Sequence, residues 1–169
     1  MTQRPKYPPT RFTRACRGEP VDQVPVWMMR QAGRYMPEYQ DLRKRAGFLE
    51  ICRQPQLAAK ATLDAMQVLE PDAAIIFSDI TIPPDAMGQS LTFEPGPVLA
   101  PPIRTLEDVH ALKRVDAERD MGYVYEACRL VRKELDDAKS LIGFVGAPLT
   151  VAGYMIEGRP SKGWRELKR

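Results

Sequence analysis

Ala73-Ala-Ile-Ile-Phe-Ser-Asp79 decides the class of fold that this chain builds. An unbroken apolar run, without the alternation of a half-exposed strand, describes a strand covered on both faces, and the Ser-Asp after it marks where the chain leaves the sheet. Upstream, Pro55 sits where a first helical position should, and Ala58, Ala61, Ala65 and Val68 recur at i, i+3, i+7 and i+10. That stripe predicts a helix of about fourteen residues. Residues 24–29 and 141–145 are two further apolar runs of strand length. Residues 121–138 repeat the helical spacing with Val124, Cys128, Val131 and Leu135 on one side. Residues 38–45 read as a polar helix opening after Pro37, and 149–157 as a last helix before the polar tail 161–169. Residues 82–104 are rich in proline, with apolar patches such as Leu91-Thr-Phe93, and read as a long excursion of hairpin type. Strand, helix, strand, excursion, helix, strand, helix is the order of parallel βαβ units, hence an α/β fold.

In such folds the ligand site gathers at the carboxyl ends of the strands. Each apolar run here ends in a polar or glycine-bearing switch, at Arg30, Ser78-Asp79 and Gly146, so the three ends should converge on one surface carrying both signs of charge. The first belongs to Pro25-Val-Trp-Met-Met-Arg30-Gln-Ala-Gly-Arg34-Tyr-Met-Pro-Glu-Tyr39, with Arg43 shortly after. Guanidinium never loses its charge and grips carboxylates and phosphates through paired N–H groups. Arg30, Arg34 and Arg43 therefore describe a pocket for a multiply anionic ligand, against the plain alternative of a solvated basic turn. Asp79, at the rim of a buried strand, is a helix N-cap or ion-pair partner, or else a carboxylate aimed at ligand N–H groups or at developing positive charge. Tyr154, one turn into the helix after Gly146-Ala-Pro148, either points back to the strand ends or fills core.

Composition excludes several classes. Net charge is +3, with 25 basic against 22 acidic residues, and the basicity is local. Arg4, Lys6, Arg11, Arg14 and Arg17 precede the first acid at Glu19, in a segment 1–19 that lacks periodicity and reads as an extended, poorly ordered arm. A nucleic-acid stripe would recur along a face and carry a high domain charge, so nucleic acid is not expected as a partner. Cys16, Cys52 and Cys128 are odd in number and far apart, which argues against a disulfide scaffold or a cysteine zinc site. The single histidine, His110, stands in a polar stretch without companions and reads as a surface residue. No apolar run reaches the ~18 residues of a membrane span, and no secretory h-region is present. The expectation is a cytoplasmic protein. No glycine-rich loop matches a nucleotide-binding motif.

The stretch 25–39, PVWMMRQAGRYMPEY, resembles the arginine-loop signature of the uroporphyrinogen decarboxylase family. Ala74-Ile-Ile-Phe-Ser-Asp-Ile80 and Ile142-Gly-Phe-Val-Gly-Ala-Pro-Leu-Thr150 through Tyr154-Met-Ile-Glu-Gly158 resemble the next two blocks, in order. The resemblance implies a distorted (β/α)8 TIM barrel, a homodimer, and no need for a metal or an organic cofactor. It implies a carboxy-lyase that converts the four acetate side chains of uroporphyrinogen III to methyls, giving coproporphyrinogen III and carbon dioxide in haem biosynthesis. Carried over by motif, Arg30 and Arg34 contact substrate carboxylates, Gln31, Ala32 and Gly33 form the loop between them, and Arg43 is a third arginine. Asp79 matches the carboxylate that holds the pyrrole N–H groups, and Tyr154 the tyrosine that lines the site.

A barrel of this kind takes about 250 residues, whereas this chain has 169. The expectation is therefore a partial barrel, N-terminal part only, with the arm at 1–19 and the barrel portion at 20–169. Such a fragment should be inactive alone and prone to aggregate through exposed sheet edges and core face. Two alternatives stand beside the decarboxylase. One is a corrinoid or thiol methyltransferase on the same barrel, which would need His and Cys zinc ligands; the other is a non-catalytic tetrapyrrole- or anion-binding fragment.

Overall fold

A computed structural model describes residues 7–93, 95–143 and 145–169. Arg4 and Lys6 of the expected arm and Phe144 of the expected third strand lie outside these residues. In chain order the elements are α1 (Arg11–Cys16), α2 (Pro37–Arg45), α3 (Phe48–Arg53), α4 (Pro55–Leu69), β1 (Ala73–Ile75), α5 (Ile82–Ala86), β2 (Ser90–Phe93), β3 (Pro97–Ala100), α6 (Leu106–His110), α7 (Ala117–Asp120), α8 (Gly122–Glu134), β4 (Ser140–Ile142) and α9 (Pro148–Glu157). They form two compact units, Met1–Phe77 with Glu126–Gly143, and Ser78–Tyr125 with Phe144–Arg169.

The first unit is organised by α4. Pro55 opens it, as expected, because a first-turn residue needs no N–H partner. Its small side chains let two layers approach closely. Ala58 and Ala59 pack with Ala74 and Ile76 of the β1 segment and with Ala127 and Val131 of α8. Ala61 and Ala65 face Met36, Tyr39, Leu42 and Ile51 of α2, α3 and the turn before them. Val68, the last member of the predicted stripe, is exposed, since the helix ends one residue later with Glu70 in the left-handed region at φ 48°. Truncating a fully buried member such as Ile51 to alanine costs about 2–5 kcal/mol.

β1 and β4 pair in parallel, Ala74 opposite Leu141, as the alternation of elements predicts. Both strands are shorter than their apolar runs, and Val145 is exposed. Residues 24–29, expected as a buried strand, are not one: Val24 is 83% and Met29 75% exposed. The reason lies on the outer edge of β1. The segment makes one backbone bond there, Asp72 N to Val26 O at 2.8 Å, while the Asp72 carboxylate accepts from Val26 N at 2.7 Å. Beyond that point side chains take the strand's polar groups. The Gln31 amide donates to Ala73 O at 2.6 Å and accepts from Ile75 N at 2.9 Å. The hydroxyl of Thr62 on α4 accepts from Phe77 N at 2.9 Å. Ala73 O, Ile75 N and Phe77 N are thus satisfied by side chains in place of a neighbouring strand.

In the N-terminal segment, expected as an extended arm, Arg11–Cys16 is helical. Thr10 and Thr13 cap it reciprocally, Thr13 N to the Thr10 hydroxyl at 3.1 Å and Thr10 N to the Thr13 hydroxyl at 2.9 Å. Arg11 then reaches Asp22 at 2.7 Å and Asp72 at 2.5 Å. The α8 helix buries Ala127 and Val131 and stops at Glu134, short of the predicted Ala138, with Leu135 buried just past its end. Its end is closed by Arg132, which donates to the carbonyls of Leu135, Asp136 and Lys139.

In the second unit the proline-rich excursion contains the expected hairpin, β2 antiparallel to β3, with Leu91 opposite Leu99 and both buried. It also contains α5, whose Pro83 and Pro84 fall in the first turn where they are tolerated. Pro148 starts α9, which ends at Gly158 with φ 75°. The C-terminus of α9 is tied to β3 and its extension by Leu99 N to Gly158 O at 2.8 Å and Ile103 N to Met155 O at 3.0 Å. His110 is exposed, as expected. Among the described residues no helix is long and apolar enough to cross a membrane.

Candidate active site

The arginine segment is held in place from both of its ends. Gln31 is 1% exposed and spends both amide atoms on β1, while Gln40 on α2 donates to Arg34 O at 2.7 Å. Between them the chain folds tightly, Met36 N to Gly33 O at 2.9 Å, and the Tyr35 hydroxyl donates to Gln31 O. A Cβ on Gly33 would lie 2.8 Å from the Tyr35 ring and 3.2 Å from Arg30 O, so a larger residue there must displace that ring. Arg30 has φ 58°, in the left-handed region that costs a non-glycine residue of order 1–3 kcal/mol, the kind of strain that gathers at ligand clamps. Its side chain and that of Arg34 are exposed, and neither guanidinium is tied up in an ion pair among the described residues.

A cavity of about 290 Å3 is lined by Arg34, Tyr39, Gln40, Arg43 and Lys44. The structure thus brings two of the three predicted arginines to one pocket; Arg30 is not among its lining residues. Arg43 is steadied by the Ala46 carbonyl at 3.2 Å and lies 6.0 Å from the centre of the Phe48 ring. Burial pushes the Tyr39 phenol up, with Arg43 and Arg34 pulling the other way, so it remains a protonated donor at neutral pH. Three cations and a phenol donor around one hollow suit carboxylate or phosphate oxygens. Tyr39 and Lys44 were not singled out from sequence. Their signal is the i, i+4 spacing on α2 that places Tyr39 with Arg43 and Gln40 with Lys44. Of the other loop residues carried over by motif, Ala32 packs against the α2–α4 core and the Gln31 side chain is turned inward to the strand.

In the second unit Asp79 closes a turn. One carboxylate oxygen, Oδ1, accepts from Thr81 N at 2.8 Å and from the Thr81 hydroxyl at 2.5 Å. The other, Oδ2, has no partner among the described residues, and Asp79 forms no ion pair there. Asp79 is therefore not the helix N-cap that the sequence suggested, since Thr81 holds that position in α5; Oδ1 closes a local turn, while Oδ2 is open to a donor. The same turn packs on the entry to α9: a Cβ on Gly146 would lie 3.2 Å from Ile80 and 2.5 Å from Val151. Tyr154, half-buried on α9, meets Trp164 edge-on at 6.1 Å between ring centres. Among the described residues no group of three or more His, Cys, Asp or Glu is placed to hold a metal ion.

Comparison with known proteins adds lineage to this geometry. The family model described as Uroporphyrinogen decarboxylase (URO-D) matches residues 7–169. The uroporphyrinogen decarboxylase of Trichlorobacter lovleyi is 54% identical over 159 residues, covering 94% of this chain and 47% of that protein. That of Syntrophotalea carbinolica is 54% identical over 158 residues, covering 94% and 46%. Among solved structures, a methyltransferase from Methanosarcina mazei matches with a TM-score of 0.69 and 26% identity, over 88% of this chain and 44% of that one. The chain spans about half the length of the curated relatives it matches. It is an α/β fragment that corresponds to their N-terminal half.

Proposed function

Because the chain belongs to the uroporphyrinogen decarboxylase family, we propose that the complete protein removes carbon dioxide from the acetate side chains of uroporphyrinogen III. The product is coproporphyrinogen III, and the setting is cytoplasmic tetrapyrrole synthesis by a homodimer. The observation that carries this reading is the hollow where Arg34 and Arg43 stand with Lys44 and Tyr39, since the substrate is a ring bearing many carboxylates. Arg30, with φ 58° and no ion-pair partner among the described residues, adds a further guanidinium on the same loop.

Pyrrole acetate loses carbon dioxide only when the ring can take the electrons. A proton added to the ring carbon beside the side chain makes a cation. The C–CO2 bond then breaks, its electron pair moves into the ring, and carbon dioxide leaves. A proton taken up by the exocyclic carbon and one lost from the ring complete the methyl group. A fixed carboxylate near the pyrrole N–H groups stabilises the cation, the kind of preorganised charge that usually contributes most to rate enhancement. Asp79 takes this role, with Oδ1 locked by Thr81 and Oδ2 available to accept from the pyrrole N–H groups. The arginines hold the non-reacting carboxylates, and Tyr154 lines the site.

Residues 1–169 alone are inactive in this reading, because the relatives are about twice as long. The test uses the completed protein, in which residues 1–169 are joined to a C-terminal half such as the relatives carry. It should release carbon dioxide from uroporphyrinogen, and Arg34→Ala should raise KM by about tenfold or more. A folded completed protein without turnover refutes the proposal. The structural likeness to a methyltransferase supports a second reading, methyl transfer on the same barrel. Methyl transfer to a thiol or corrinoid by the completed protein, with zinc-binding His and Cys in its C-terminal half, would select it.

A further inference from the structure

Gln31 does something unusual for a side chain in a charged loop. In a parallel sheet, a residue opposite Ala74 on the outer edge of β1 would donate its N–H to Ala73 O and accept from Ile75 N through its carbonyl. The Gln31 amide makes those same two bonds, at 2.6 and 2.9 Å, with the side chain 1% exposed. On the inner edge Ala74 pairs with Leu141 of β4, so β1 has a strand on one side and the Gln31 side chain in place of one on the other. Residues on either side of Gln31 are the exposed Arg30 and, three positions on, Arg34. We propose that Gln31 is a positioning residue: its amide stands in for a strand peptide and fixes where the Arg30–Arg34 loop sits on β1, and so where those guanidiniums meet the ligand carboxylates.

This rests on the decarboxylase reading for the identity of the ligand, but not for the clamp itself. The loop has few other anchors. The Arg34 carbonyl is held by Gln40, and among the described residues the Tyr35 hydroxyl bonds to Gln31 O, inside the loop. Removing the amide leaves Ala73 O and Ile75 N without partners and frees the arginine loop from the sheet. Thr62 supplies a matched control. It bonds Phe77 N on the same edge, from α4, and donates to Ala58 O within its own helix.

The experiment compares Gln31→Met, Gln31→Glu and Thr62→Val in the completed protein. Methionine keeps the length and loses both bonds; ionised glutamate can still accept from Ile75 N but cannot donate to Ala73 O. Both Gln31 variants should raise KM for uroporphyrinogen by about tenfold with kcat little changed, while Thr62→Val lowers the melting temperature and leaves KM alone. Trypsin should cut after Arg30 and Arg34 faster in both Gln31 variants than in Thr62→Val. An unchanged KM in folded Gln31→Met, or a KM rise no larger than that of Thr62→Val, overturns the proposal. Should the unsubstituted protein lack decarboxylase activity, the ligand assignment falls, and the trypsin comparison alone decides the clamp: equal cleavage in all three variants overturns it.

Discussion

Replacing Asp79 by asparagine separates the charge of that carboxylate from its part in the turn. Oδ1 accepts from Thr81 N at 2.8 Å and from the Thr81 hydroxyl at 2.5 Å, and the amide oxygen of asparagine can accept both. Bonds to a charged acceptor are stronger than neutral ones, so the exchange should cost about 1 kcal/mol of stability, against about 2 kcal/mol for Asp79→Ala, which loses both bonds. Oδ2, without a partner among the described residues, becomes an NH2 group that can no longer accept from a pyrrole N–H. If the carboxylate stabilises a cationic intermediate, its loss should lower kcat by about 10²–10³-fold, the range for one preorganised electrostatic group. The assay is steady-state decarboxylation of uroporphyrinogen by the completed protein, with thermal melts of both variants alongside. Asp79→Asn with wild-type kcat, or an Asp79→Asn loss fully explained by unfolding, refutes the reasoning.

Other outcomes follow from single contacts. Gly153→Ala drives a Cβ into the Trp164 ring and should cost about 1–3 kcal/mol while pushing that ring outward, read as a red shift of Trp164 emission in a Trp27→Phe background. Thr62→Val should cost about 1–3 kcal/mol by leaving Phe77 N unpaired, and Thr62→Ser should restore most of it in a denaturant titration. Burial pushes the Asp72 carboxyl up, but the Val26 N–H and Arg11 outweigh it and hold it below the usual carboxylate range. A lowered folded-state value means stability that is full above the unfolded carboxylate value and lost as pH falls through the folded one. Melting temperature against pH should therefore drop on the acid side, and Asp72→Asn should flatten that drop. Residues 1–169 alone, with Val24, Val26, Trp27, Met28 and Met29 exposed in a row, should bind a hydrophobic dye and sediment as aggregates; a clean monomer with no dye binding counts against this.

Helix starts were legible at Pro37 and Pro55 and, to within one residue, at Pro148, because a first-turn proline is a local signal, whereas Pro83 and Pro84 open α5 inside a stretch whose many prolines hid it. The hairpin and the parallel pairing of β1 with β4 were legible from turn chemistry and from the alternation of elements. Residues 24–29 misled because an apolar run reports burial tendency and says nothing about which edge it will find occupied. The helices α1 and α3 span six residues each, too few for a period to show. In the site, Arg34 and Arg43 declared themselves by charge. Gln31 did not, since a glutamine in a polar loop looks alike whether it faces water or a strand.

The sealed edge of β1 links two failures that are ordinarily separate. Any foreign strand that docks on Ala73 and Ile75 must first evict the Gln31 amide, and eviction dissolves the arginine loop. Self-association along this seam would thus announce itself as lost anion affinity before any fibre became visible, and a polycarboxylate that steadies the loop should act as a guard against it.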